Sequence, residues 1–159
     1  RLVGSEMCIR DREGRFMWGF IVALISGALM SIQGVFNTEV TKQTSTWLAA
    51  GWVQISAFAV CLAAWCITGR EPIGDLFRVK PWYLLLGGAI GAFITITVIW
   101  SMAGLGPAKA AMLIVISQLA AAWLIELFGL FGMEKTDFTV RKLLGMAVAV
   151  VGIVVFQWE

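Results

Sequence analysis

Charged residues along this chain fall in clusters, and between the clusters lie long, nearly uncharged apolar runs: Met17–Phe36, Trp47–Ile67, Trp82–Ala103, Pro107–Phe131 and Leu143–Trp158. A helix needs about 20 such residues to cross the hydrocarbon core of a bilayer, so the pattern predicts five transmembrane helices. The last run holds 16 residues. At 1.5 Å per residue that is about 24 Å, so Lys142 must snorkel or the bilayer must thin there. No run alternates with period two, which argues against a membrane β-barrel. The expected fold class is all-α, a polytopic membrane bundle of five helices.

Connections between the runs are short and carry nearly all the charge. Asn37–Thr46 holds Glu39 and Lys42; Thr68–Pro81 holds Arg70, Glu71, Asp75, Arg78 and Lys80; Gly132–Lys142 holds Glu134, Lys135, Asp137, Arg141 and Lys142. Gly104–Gly106 reads as a tight turn, with Pro107 placed to open the next helix at its first turn. No connection is long enough for a soluble domain, so residues 17–159 form one transmembrane domain. Residues 1–16 are set aside as a non-native or disordered tail. Their opening RLVGSEMCIRDR is polar and resembles the translated read-through of a sequencing adaptor, the alternative being a basic tail that anchors the first helix.

Composition narrows the function. Of 159 residues, 60% are hydrophobic and 14% charged, with mean hydropathy +0.87; a soluble domain is about 25% charged. With no His, three Cys and one Tyr, the chain lacks the usual metal ligands, nucleophile–base pairs and proton shuttles. Cys61 and Cys66, five apart on an apolar helix, have no metal or redox spacing. Phosphate-cradling glycine motifs are absent as well. Neither an enzyme, a metal, nor a cofactor is expected, and a net charge of +2 with scattered basic residues leaves no footprint for nucleic acid.

Orientation follows from the Lys/Arg balance. Arg15, Arg70, Arg78, Lys80, Lys135, Arg141 and Lys142 share one side of the predicted topology; Lys42 and Lys109 fall on the other. That bias places the N-terminus in the cytoplasm, and five crossings then place Glu159 outside. Trp18, Trp47, Trp82, Trp100, Trp158 and Tyr83 sit within a turn of helix ends, where aromatic side chains favour the interface. Trp52, Trp65 and Trp123 lie deeper and are expected to pack between helices, with stacking on a planar ligand as the alternative for Trp52 and Trp123.

Polar side chains inside spans are costly in hydrocarbon, and each is a functional candidate. Gln33 and Asn37, four apart, share a face at the outer end of the first helix. Gln54 enters the second helix from the same side and is expected to meet Gln33. Gln118 falls mid-way along the fourth helix, and Glu126 lies about 80° around and about 12 Å further along, so both can face one cavity. Lys109 points elsewhere and snorkels. As the one carboxylate within a predicted span, Glu126 can carry a proton and couple its movement to a substrate. Otherwise it pairs with Arg70, Lys135 or interfacial water and fixes the helix. The glutamines are equally suited to interhelical hydrogen bonding. Small residues at four-residue spacing, Ala23, Gly27 and Ser31, Gly87 and Gly91, and Gly145 and Ala149, mark packing seams.

Gly27, Gln33, Gly34 and Asn37 in SGALMSIQGVFNTEV, the later SQLAAAWLIELFGLFG around Gln118 and Glu126, and the closing KLLGMAVAVVGIVV together resemble the small YdcZ-type inner-membrane exporters of the drug/metabolite transporter superfamily. The resemblance runs from Met17 to Glu159. Glu126 stands where members often carry Asp, and Lys109 is not expected in every member. The resemblance implies a half-size transporter repeat, whose pathway in larger relatives lies between repeats of opposite orientation. It further implies an antiparallel dimer, with a second copy or a paired paralogous subunit, whose cavity is expected to be lined by Gln33, Gln54, Gln118 and Glu126, with Asn37 a further candidate on the substrate pathway. Export of an unknown small organic molecule is the expected function. A passive dimeric channel and an accessory membrane subunit are the alternatives, and membrane lipids are partners in each case.

Overall fold

The computed structural model describes residues 2–69, 72–137, 139–156 and 158, with side chains from Phe16 onward. Arg70, Glu71 and Glu159, used above for loop charge and orientation, lie outside the described residues, as does the side chain of Arg15. Five helices follow in order: α1 (Leu2–Gln43), α2 (Thr46–Thr68), α3 (Gly87–Leu105), α4 (Pro107–Phe128) and α5 (Val140–Phe156). Short 3₁₀ segments at Ile73–Arg78, Trp82–Leu86 and Leu130–Gly132 punctuate the connections, and no strand occurs among the described residues. The protein is an all-α membrane bundle. Among the described residues four segments are long and apolar enough to cross: Phe16–Gln43, Thr46–Thr68, Trp82–Leu105 and Pro107–Phe128. With 17 residues, α5 rises about 25 Å and is the short one that its sequence announced.

Among the boundaries that differ from the hydropathy pattern, three do so for a local reason. The first helix does not stop at Phe36. It runs on through Glu39 and Lys42, which pair with each other, while the hydroxyls of Thr38 and Thr41 donate to the carbonyls of Gly34 and Asn37, each at 2.8 Å. Polar residues that bond back onto their own helix need no loop, so the expected Asn37–Thr46 connection shrinks to Thr44 and Ser45. There the Ser45 hydroxyl accepts from the Leu48 N–H at 3.3 Å and caps α2. The third span opens with a tight turn at Trp82–Leu86 before becoming α-helical at Gly87.

The fourth helix ends at Phe128 rather than Phe131, because Gly129 takes a left-handed conformation (φ 63°, ψ 38°) and its N–H closes onto the carbonyls of Ile125 and Glu126. Apolarity continues past that point, but the helix cannot. At the other end of α4, the turn from α3 is a single residue, Gly106, with φ 82° and ψ 159°. Pro107 opens α4 as expected.

The chain divides into two units, residues 1–99 and 100–159. In the first, α1 packs on α2 near their shared turn, where Gly34, Asn37, Thr38, Ala49 and Ala50 are buried; Ile96 and Ile99 of α3 are buried too. Small side chains let two helix backbones approach, and here they lie at Gly34, Ala49 and Ala50. The seam anticipated at Ala23, Gly27 and Ser31 is exposed instead. In the second unit α4 packs on α5, and the buried positions include Met102 and Ala110. At most 11% of the most apolar window of any of the four spans is buried within the chain, which leaves nearly all of the oily surface for lipid or another subunit.

Candidate functional site

Some polar residues of the spans line two recesses, one in each unit, while Gln54 and Gln118 lie outside both. In the first unit a groove of about 670 Å³ runs between α1 and α2. On α1 its wall is a stripe at helical spacing that includes Ile32, Gln33, Phe36 and Asn37; on α2 it includes Trp52, Val53, Ser56 and Val60. The stripe follows from the i, i+3, i+4 geometry of α1, which places Gln33 and Asn37 on the face turned to α2. Gln33 is exposed, whereas Asn37 is 9% exposed. The Ser56 hydroxyl donates to the Val53 carbonyl at 3.0 Å. Trp52, expected to be packed, has 66% of its surface exposed and borders the groove.

Gln54 does not join Gln33. It is half-buried and turned towards α3, with its Nε2 3.7 Å from where a Cβ on Gly91 would stand. That distance is ordinary contact, so Gly91 leaves room for the Gln54 amide beside the α3 backbone. On α2 the Gln54 side chain thus stands about 100° around the helix axis from Val53 on the groove face.

In the second unit a cavity of about 320 Å³ lies between α4 and α5, lined by Leu119, Ala122, Trp123, Glu126, Lys142, Gly145 and Met146. Glu126 lies in the last turn of α4 and Lys142 in the first turn of α5, and Lys142 Nζ donates to Glu126 Oε2 at 3.2 Å. Each side chain is 44% exposed. The same ammonium reaches Thr136 Oγ1 at 3.5 Å, while the Thr136 N–H donates to the Glu126 carbonyl at 3.0 Å. Each charge stands at the unfavourable end of its own helix dipole, a carboxylate at a C-terminus and an ammonium at an N-terminus. Helix stability therefore does not account for either residue. What the two achieve is a mutual contact across the cavity wall, joining the end of α4 to the start of α5.

Gln118 is exposed and does not line this cavity. At 100° per residue it stands one step round from Leu119, at the rim of the stripe that Glu126 shares. Lys109 is exposed, as a snorkelling residue would be. Sequence reasoning missed Lys142 as the partner of Glu126, having offered Arg70, Lys135 or water. The available signal was the brevity of the Gly132–Lys142 connection, which returns the chain to the end of α4. Its register depends on Gly129, where a Cβ would meet Lys135 Cβ at 3.3 Å, and on the Thr136 bond. Among the described residues no group of three or more Cys, Asp or Glu is placed to hold a metal.

Neither the curated proteins nor the solved structures gave a match to this chain. One family does, over residues 18–155, which takes in the first span but for Phe16 and Met17, the other three long spans and nearly all of α5; its description reads "Putative inner membrane exporter, YdcZ". A match of that extent, on a chain with several membrane-length apolar helices, places the protein in the inner membrane and shows that it belongs to the YdcZ family.

Proposed function

We propose that the chain is a secondary transporter that exports a small organic molecule, that the α1–α2 groove holds the substrate, and that Glu126 couples its movement to protons. The groove carries the reading. A wall that is mostly apolar, with two carboxamides and a hydroxyl spaced along it, and a volume of about 670 Å³ suit a drug-sized molecule. In cells that overproduce the chain, tolerance to at least one toxic organic compound from a metabolite and drug panel is expected to rise over cells that lack it, with less compound retained inside. Equal tolerance and equal retention across the panel would count against export.

The working unit in this reading is an antiparallel dimer, formed by two copies or with a paired paralogous subunit. Support comes from the spans, which bury at most 11% of their most apolar windows within one chain. With the short α5 read as a fifth crossing beside the four long spans, the chain is a half-repeat whose complement enters the membrane in the opposite sense. The Lys/Arg bias favours a cytoplasmic N-terminus for this copy. Crosslinking in a mild detergent is expected to yield a species of twice the 17.3 kDa chain mass. Transport-competent monomers alone would remove the dimer from the scheme.

A further inference from the structure

The groove between α1 and α2 contains one polar side chain whose state differs from all its neighbours. Asn37 is 9% exposed, and its carboxamide makes no hydrogen bond among the described residues. Its own backbone carbonyl is occupied by the Thr41 hydroxyl. Next to it the buried Thr38 is satisfied, donating to the Gly34 carbonyl at 2.8 Å, and Ser56 across the groove donates to Val53 at 3.0 Å. The carboxamide atoms themselves are not sealed off, so without a partner in the chain they are left to bond whatever occupies the groove. Asn37 borders the groove, which is where a ligand would sit.

Chemistry of the wall then restricts the ligand. None of the groove residues carries a charge, so an ion entering it would lose water and meet no counter-charge. A carboxamide presents one acceptor and two donors side by side, which matches a group offering an N–H next to a C=O. Gln33, four residues earlier and on the same stripe, adds a second carboxamide at the exposed end, and Trp52 and Phe36 add flat aromatic faces.

We propose that this groove selects uncharged, planar molecules that present a lactam-type edge, with Asn37 pairing to that edge and Trp52 against the ring. The inference rests on the reading of the groove as the substrate path and names the substrate class for it. A lipid acyl chain, the competing occupant of an apolar groove in a membrane, would have no use for Asn37.

Oxindole, a bicyclic lactam, and N-methyloxindole, which has the same ring but no N–H, separate the two. Equilibrium dialysis of the detergent-solubilised chain, corrected for uptake by protein-free micelles, is expected to show oxindole binding at least about tenfold tighter, the worth of one well-made hydrogen bond. In Asn37→Leu the ratio falls to about one while N-methyloxindole still binds, which also shows that the variant is folded. Equal binding of the two probes by the native chain, no binding of either, or a ratio that survives Asn37→Leu would each overturn the proposal. Should the variant fail to accumulate, the probe pair on the native chain still decides. Oxindole that binds selectively but is not moved by proteoliposomes along any gradient would leave the recognition intact and remove only the transport reading. Gradient-driven export of some other compound, without discrimination between the probes, would do the reverse.

Discussion

Glu126→Gln is expected to cut proton-gradient-driven efflux from proteoliposomes by far more than it lowers stability. The Glu126–Lys142 pair is 44% exposed on both sides, so as a structural clamp it is worth about 1 kcal/mol at most. A loss of that size changes a population by about fivefold. If Glu126 carries the coupling proton, the glutamine removes the only step by which the gradient acts, and efflux should fall by more than about tenfold, beyond what the clamp alone can explain. Lys142→Met separates the two roles, because it breaks the same contact and keeps the carboxyl. Its efflux should still respond to the gradient, with a loss no greater than the fivefold ceiling. Equal losses in Glu126→Gln and Lys142→Met, recovered when both are present, would mean that the pair only holds α4 to α5. Downhill flux that persists in Glu126→Gln with altered selectivity would point to a channel, and flux unaffected by either variant to an accessory subunit.

The second large effect is structural and is located at a single residue. Gly106→Ala should destabilise the protein by about 1–3 kcal/mol, since φ 82° with ψ 159° is a region open essentially to glycine alone. The strain cannot be relieved by a longer loop, because α3 ends at Leu105 and α4 begins at Pro107. The Gly106 N–H also donates to the Met102 carbonyl at 3.0 Å, and its carbonyl accepts from Ala110 at 3.1 Å, so moving the residue costs both helix ends a bond. Gly104→Ala is the matched control. Gly104 lies inside α3, with nothing within 4 Å of where a Cβ would stand. There alanine should be neutral or stabilising by up to about 1 kcal/mol. Thermal unfolding in detergent should therefore show a lower midpoint for Gly106→Ala and an unchanged or higher one for Gly104→Ala; equal midpoints would contradict the geometry at Gly106.

The two predictions also mark how far the chain could be read unaided. Gly104–Gly106 and Pro107 announced the α3–α4 turn, because proline at a first helical position and glycine just beyond a helix end are chemical signals local to the sequence. The end of α4 was missed for the opposite reason. Leu130 and Phe131 are as apolar as the residues before them, and only the left-handed turn at Gly129 stops the helix. Likewise Asn37, Glu39 and Lys42 looked like loop material, yet the helix runs through them because Thr38 and Thr41 satisfy their hydroxyls on α1 itself. Among the candidate site residues, Gln33 and Asn37 share a groove as their four-residue spacing required. Gln54 and Gln118 stand elsewhere, since spacing within one helix says nothing about which neighbour that helix meets.

Class, membrane residence, span positions and family were legible in the order of residues, because burial in lipid imposes a length and an apolarity on each segment that no other context demands. Partnerships across helices were decided only by packing. That Glu126 meets Lys142, that Gln54 turns to Gly91 and away from Gln33, and that Asn37 is buried with its carboxamide unbonded all depend on the rotation of each helix about its axis. In nearly uniformly apolar segments that rotation carries little hydrophobic bias, so it is set by where small residues such as Gly34, Ala49 and Ala50 let backbones approach.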